Sequence, residues 1–300
     1  MNIALHDSDA TSYPNLVLMK LSAWHKANGD NVQLFSALES GLYDRVYSSK
    51  VFSFTDPDPY LPPDAVKGGT GYGDLTTVLS DEIEHIRPDY SLYGLDYSLG
   101  FVTRGCNRKC TWCNVPNKEG PTKPHADIEE FLDHGEVVLM DNNILQSDHG
   151  IRQIEKIAKL GIKVDFNQGL DARHIDDSVA RLLSKVKFRD CLRIACDFPG
   201  MKNAVTKAVT ALRWHNVTPR RYFVYTIIQE IEQSVDRIRF VKGLDLDMFA
   251  QPDRGRDGLT QPTDIQKHLA RWCNHKAENK SRTWEEYASA HGVILAEDAA

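Results

Sequence analysis

Three cysteines fall within eight residues, Cys106-Asn107-Arg108-Lys109-Cys110-Thr111-Trp112-Cys113, in the spacing C-x3-C-x2-C. Thiolates are soft ligands, and so tight a trio suits an iron–sulfur cluster or zinc. A structural zinc site and a cubane held by protein alone each want four ligands, and this neighbourhood supplies three. Cys191, Cys196 and Cys273 lie far downstream, in segments that read as strand or helix. A cluster held by three thiolates leaves one iron open, where a cofactor can bind and react. A zinc knuckle and a thiol-rich loop without metal are the other readings of the bare spacing.

The rest of the chain is ordinary for a globular protein. At 300 residues it can bury one large or two small cores. A formal net charge of −6 supplies no global basic field, which argues against a bulk nucleic-acid binder. No apolar run approaches a membrane span, and Met1 to Asp7 lack a basic, apolar leader pattern, so a cytoplasmic protein without a membrane role is expected. Six cysteines in a reducing compartment read as metal ligands or buried thiols.

Periodicity divides the chain at about residue 95. Residues 1–95 read as a small α/β unit, with strands at 2–5, 32–35 and 46–52 and a helix from Pro14 carried by Leu18, Leu21 and Trp24. The glycine-rich stretch Gly68-Gly69-Thr70-Gly71-Tyr72-Gly73 precedes a predicted helix with Leu75, Val78, Leu79, Ile83 and Ile86. It lacks the lysine and the dinucleotide pattern of phosphate-cradling loops, so tight packing at a strand-to-helix turn is the expectation. From 96 to 252, short apolar strands at 97–103, 137–140, 162–166, 191–195, 222–228 and 246–250 alternate with amphipathic helices, which predicts a parallel sheet covered by helices. Residues 251–262 read as a polar loop, and 253–300 as a short helical extension with a frayed end.

With Trp112 as the aromatic, C-x3-C-x-aromatic-C resembles the cluster loop of the radical S-adenosylmethionine (SAM) superfamily. The flanks Phe101-Val102-Thr103-Arg104-Gly105 and Asn114-Val115-Pro116 extend the likeness. The resemblance implies a [4Fe-4S] cluster on Cys106, Cys110 and Cys113 and SAM on the open iron. It implies reductive cleavage of SAM to a 5′-deoxyadenosyl radical, and an electron donor such as flavodoxin or ferredoxin. It also implies that the six strands close into a partial (β/α)6, TIM-like barrel, and that Trp112 packs near the adenine. The first 95 residues resemble the Rossmann-like, cobalamin-binding-like domain that precedes many such cores. The corrin-ligating D-x-H-x-x-G pattern is absent, since the first loop reads His6-Asp7-Ser8-Asp9, so the fold is expected without cobalamin.

In parallel barrels the functional side chains lie at the carboxyl ends of the strands. There the sequence offers Asp141 and Asn142 after the second strand, in a turn similar to a "DDNF"-type turn. After the third come Asn167, Gln168, Asp171 and Arg173; the fourth offers Arg193 and the last Gln251. The resemblance makes these candidate SAM contacts, with Asp141 toward the ammonium and Arg193 toward the carboxylate. An arginine inside an apolar strand must in any case meet an anion. For Asp171 and Arg173 the alternative is a surface pair with each other, and Cys196 reads as a small buried thiol. The substrate is not legible. Arg271, Trp272, His275, Lys276, Lys280, Arg282 and Trp284 interleave basic and aromatic residues, which suggests a nucleoside or nucleic acid, with a charged helix packed on the barrel as the simpler account.

Overall fold

The computed structural model describes residues 1–218, 222–256 and 258–295. Asp257 of the polar loop and the expected frayed end, 296–300, lie outside the described residues. The chain opens with β1 (Asn2–Asp7), α1 (Leu16–Ala27), β2 (Asn31–Leu34), β3 (Arg45–Ser49), β4 (Val66–Gly68) and α2 (Asp81–Glu84). The four strands form a parallel sheet in the order β2-β1-β3-β4. Ile3 and Leu5 of β1 are fully buried against Leu18 and Leu21 of α1. Asn15 caps α1 by accepting from Leu18 N–H, two residues inside the expected start.

Two predictions fail in this unit for local reasons. The third strand stops at Ser49 rather than at 52, because the Asp9 carboxylate takes the N–H groups of Val51 and Phe52 at 2.6 and 3.3 Å. The helix expected from Leu75 to Ile86 shrinks to the single turn of α2. Asp74 accepts from Thr76 and Thr77 N–H, both at 2.9 Å, and this side-chain turn competes with the helix. The glycine stretch does serve close packing: a Cβ on Gly69 would lie 2.3 Å from Lys50 O, and one on Gly71 2.7 Å from Phe52 O.

The second part contains β5 (Ser98–Gly100), β6 (Thr103–Arg104), α3 (Val115–Lys118), β7 (Lys123–Pro124), α4 (Ile128–Phe131), β8 (Glu136–Leu139) and α5 (Asp148–Leu160). It continues with β9 (Lys163–Phe166), α6 (Asp177–Leu183), β10 (Lys187–Phe188), β11 (Leu192–Ala195), α7 (Lys202–Trp214), β12 (Tyr222–Ile228), α8 (Ile231–Gly243) and β13 (Met248–Pro252). Two parallel sheets result, β10-β9-β8-β5 and β11-β12-β13. A bridge between Leu170 and Ile194 joins them, with Leu170 N–H donating to Arg193 O at 2.7 Å. The six expected strands are thus all present and consecutive: β5, β8, β9, β11, β12 and β13. The short ribbon β6–β7, the edge strand β10 and the one-turn helices α3 and α4 were not legible in the periodicity, being too short to carry any.

Alternation separates two faces. Tyr222, Val224 and Ile228 of β12 are buried in the core shared with the helices. The register sets Phe223 beside Arg193, Tyr225 beside Ala195 and Phe249, and Ile227 beside Gln251, on the opposite face. Phe223, Tyr225 and Phe249 form a run of rings with centroids 5.3 and 5.4 Å apart, and Phe249 remains 41% exposed.

The chain ends with α9 (Asp264–Asn274), α10 (Lys276–Ser281) and α11 (Trp284–Ala290). Asn274 donates to Ala250 O at 2.9 Å and accepts from Ala250 N–H at 2.7 Å, so it covers the open edge of β13. Trp272 and Trp284 are 1% and 3% exposed, within the same core as the strands. The segment follows the simpler of its two readings, a charged helix packed on the core: the aromatic rings are core, Lys276 and Lys280 pair with Asp247, and Arg282 pairs with Glu278. No helix among the described residues is long and apolar enough to cross a membrane.

Candidate active site

The cysteine loop leaves the carboxyl end of the β5–β6 segment and is held by its own backbone and by the turn after β8. Gly105 sits at φ +80°, and a Cβ there would lie 2.3 Å from Pro121 O and 2.6 Å from Gly120 O. Only glycine allows that approach, which lets Cys106 N–H donate to Gly120 O at 3.0 Å. Glu119 accepts from Gly105 N–H and from the Asn142 side chain, each at 2.9 Å, and pairs with Arg104 at 3.2 Å. Gln146 accepts from Asn107 N–H at 2.9 Å and from the Thr122 hydroxyl at 2.8 Å. Arg256, from the loop after β13, donates to Thr111 O at 3.1 Å.

All three thiols are partly exposed. Burial pushes the Cys110 and Cys113 thiols up, and neighbouring cysteines add to the effect: Cys113 and Cys106 for the first, Cys106 for the second. Among the described residues, no three ligand-type side chains are gathered around one point. The three thiols therefore share a loop and an electrostatic neighbourhood rather than a closed ligand shell. Their chemistry suits an iron–sulfur cluster. The donors are all sulfur, and Cys106 Sγ already receives Arg108 N–H at 3.4 Å and Asn143 Nδ2 at 3.7 Å.

Asp171 is the polar hub beside this loop. Arg173 grips its two oxygens at 2.7 and 2.8 Å, Arg108 reaches it at 3.1 Å, and Asn143 at 3.3 Å. Burial opposes ionisation of Asp171, but the Arg173 contacts win and hold it below the usual carboxylate range. Arg108 also meets His174 at 3.0 Å. The Arg173 guanidinium lies 5.7 Å from the Phe198 ring, and the Trp112 ring lies 6.5 Å from the same ring. Near them Asp197 accepts from Ile227 N–H at 3.2 Å, and burial pushes its carboxyl up to about 6.

Of the predicted residues, Cys106, Cys110, Cys113, Trp112, Asn142, Asp171 and Arg173 belong to this assembly. Asp141 lies beneath it. It accepts from Val102 N–H at 3.2 Å, Thr103 N–H at 2.5 Å and the Thr103 hydroxyl at 2.6 Å, and burial pushes it up to about 6. Both its oxygens therefore bind the second strand end to the first. Arg193 meets anions of the chain itself, Asp165 and Asp190. With Asn167 and Tyr13 they line an open cleft of about 460 Å³. Gln168 and Gln251 are exposed at their strand ends. Cys196 is a core residue whose thiol burial pushes up to about 11. Sequence reasoning passed over Arg108, Glu119, Asn143 and Arg256. Arg108, inside the cysteine spacing, and Asn143, beside Asn142, were the two with a positional signal.

No family model and no curated protein sequence matches the chain. Among solved structures it is similar to the cobalamin-dependent S-adenosylmethionine radical enzyme OxsB. Against the form with aqua-cobalamin and S-adenosylmethionine bound, the TM-score is 0.54 and the identity 13%, over 92% of this chain and 55% of that one. Against the form with aqua-cobalamin alone, the values are 0.54 and 13%, over 92% and 56%. The chain thus spans about half the length of OxsB, and the likeness is one of fold: a mixed α/β arrangement with parallel sheets.

Proposed function

We propose that this chain is a radical SAM enzyme, its six strands forming the partial (β/α)6 core and residues 1–95 a Rossmann-like unit. The observation that carries the reading is the place of the cysteine loop. It is a C-x3-C-x2-C loop at the carboxyl end of the first of six consecutive parallel strands, in a fold similar to that of a radical SAM enzyme.

Cys106, Cys110 and Cys113 would hold a [4Fe-4S] cluster. When bound with SAM, that cluster supplies the electron that cleaves SAM to methionine and a 5′-deoxyadenosyl radical. The chain's own residues prepare the site. Gly105, Glu119 and Gln146 fix the loop against the turn after β8. Asp171 holds Arg108 and Arg173 beside the thiols, so that their positive charge faces an anionic ligand group. Trp112 and Phe198 offer ring surface for an adenine. The half-exposed rings of Phe223, Tyr225 and Phe249, with the Arg193–Asp165 pair, line the face on which a substrate would lie. Reduction falls to a flavodoxin or ferredoxin, and the cytoplasm is the proposed compartment.

We propose that the N-terminal unit works without a corrin, although OxsB is described with one. Both ring nitrogens of His6, at the carboxyl end of β1, are engaged, by Ser48 Oγ at 2.8 Å and by Asp58 at 3.1 Å. The segment from Gly69 to Tyr72 packs directly on Lys50, past the end of β3.

Anaerobic reconstitution with iron and sulfide tests the reading. A full cubane by iron and sulfide count, with an electron paramagnetic resonance signal that changes on adding SAM, is the expected result. A single bound zinc would overturn it, and cobalamin absorbance in the purified protein would overturn the corrin-free reading of the first unit.

A further inference from the structure

The polar loop after β13 joins three parts of the fold. Its turn is tied at the base: Asp253 accepts from Gly255 N–H at 2.9 Å and from the Gln229 side chain at 2.7 Å, and Thr260 N–H donates to Arg254 O at 2.9 Å. From this base two arginines reach different partners. Arg256 donates to Thr111 O at 3.1 Å and reaches Cys110 O at 3.5 Å, and its own carbonyl accepts from the Asn114 side chain. It therefore holds the cysteine loop on both sides of Cys113. Arg254 lies 5.4 Å from the Phe54 ring of the N-terminal unit, and a Cβ on Gly258 would lie 3.3 Å from Ser53 Oγ. Phe54 is a fixed anchor. It stacks on Phe52 with centroids 5.1 Å apart, and Asp9 accepts from Phe52 N–H and from the Thr55 hydroxyl on either side of it. Contacts thus run from the N-terminal unit, through residues 253–256, to the backbone between the second and third cysteines.

We propose that residues 253–256 form a strap by which the N-terminal unit steadies the cysteine loop, with Arg256 as its positioning residue. The inference rests on the reading above, under which that loop holds a cluster. The guanidinium gives two separate signals. Its planar fork spans two adjacent carbonyls, Cys110 O and Thr111 O, which a lysine ammonium cannot reproduce. Its positive charge beside a ligand cysteine favours the reduced, more negative cluster.

The experiment compares wild type with Arg256→Ala, Arg256→Lys and Phe54→Ala. Both side chains are exposed, so the variants keep the core intact. Amide hydrogen exchange across residues 106–113 is followed by mass spectrometry in the cluster-free proteins. Midpoint potentials are measured after reconstitution, in samples matched for iron and sulfide. Loop exchange should rise about fivefold in both Arg256 variants and about twofold in Phe54→Ala. The midpoint should become more negative in Arg256→Ala and stay at the wild-type value in Arg256→Lys. Wild-type exchange in Arg256→Ala would overturn the strap, and wild-type exchange in Phe54→Ala would overturn its link to the N-terminal unit. An unshifted midpoint in Arg256→Ala would overturn the role of the charge. A wild type that takes up no cluster would overturn the reading above and that role with it, while the exchange measurement still decides the strap.

Discussion

Glu84 joins the N-terminal unit to the second part of the fold, and its removal has a size that can be worked out. Its carboxylate lies 3.1 Å from Lys20 Nζ of α1 and 3.1 Å from His125 Nε2, just past β7. Burial works against the charge, but the His125 and Lys20 contacts prevail and bring the carboxyl from 4.5 to about 2. The sign follows from linkage: a carboxyl depressed in the folded state stabilises above its unfolded pKa and ceases to do so as pH falls through the folded one. At 1.36 kcal/mol per unit, the ionised carboxylate contributes about 3 kcal/mol at pH 7, about 2 kcal/mol at pH 3.5 and a few tenths at pH 2. Glu84→Gln should lose most of this at neutral pH, since Lys20, whose side chain is 8% exposed, then lacks its counter-charge. Urea unfolding of both proteins, followed by tryptophan fluorescence and far-ultraviolet circular dichroism, gives the difference at pH 7 and 3.5. A loss under about 0.5 kcal/mol at pH 7, the size of an ordinary surface substitution, would refute the reasoning. So would a difference that grows on acidification.

Other consequences can be checked on the same preparations. Gly105→Ala forces a left-handed backbone and a contact with Pro121 O, so iron incorporation should fall sharply while the melting temperature drops by only a few degrees; unchanged iron content would count against the loop geometry. Asp171→Asn removes the bidentate partner of Arg173 and the anchor of Arg108, and should cost about 2 kcal/mol after allowing for the exposure of both arginines, with reduced SAM affinity; melting curves and equilibrium dialysis measure the two effects. Burial pushes the Cys196 and Cys273 thiols to about 11 and about 12, so both should resist alkylation at pH 8 in the folded, cluster-free protein while Cys106, Cys110 and Cys113 label; mass spectrometry of the peptides decides it.

The sequence carried the six strands well because each is a short apolar run set between amphipathic helices, and runs of that kind depend little on the rest of the fold. The cysteine loop was legible for a different reason, namely that three thiols so close together have few uses. What escaped was decided by single side-chain contacts. Asp9 ends the third strand early and Asp74 replaces a helix with a turn, and neither leaves a periodic trace. In the site, residue type and position gave Asp171, Arg173 and their pairing with each other, but not Arg108 or Asn143. Arg108 and Asn143 become neighbours of Asp171 only when the β5, β8 and β9 ends are brought together. Arg193 shows the limit of reasoning from cost alone: the anion it had to meet is present, but as the chain's own Asp165. Trp272 and Trp284 show the same limit from the apolar side, since aromatics among basic residues look alike in sequence whether they face a ligand or the core.

Under the proposed function, the Cys106–Cys110–Cys113 loop generates a radical from SAM. The most direct measurement is 5′-deoxyadenosine formation by the reconstituted protein under anaerobic conditions with dithionite and SAM. Product is expected from wild type and none from Cys110→Ala. Product formed equally by Cys110→Ala, or none from a wild type that binds one zinc and no cluster, would contradict it.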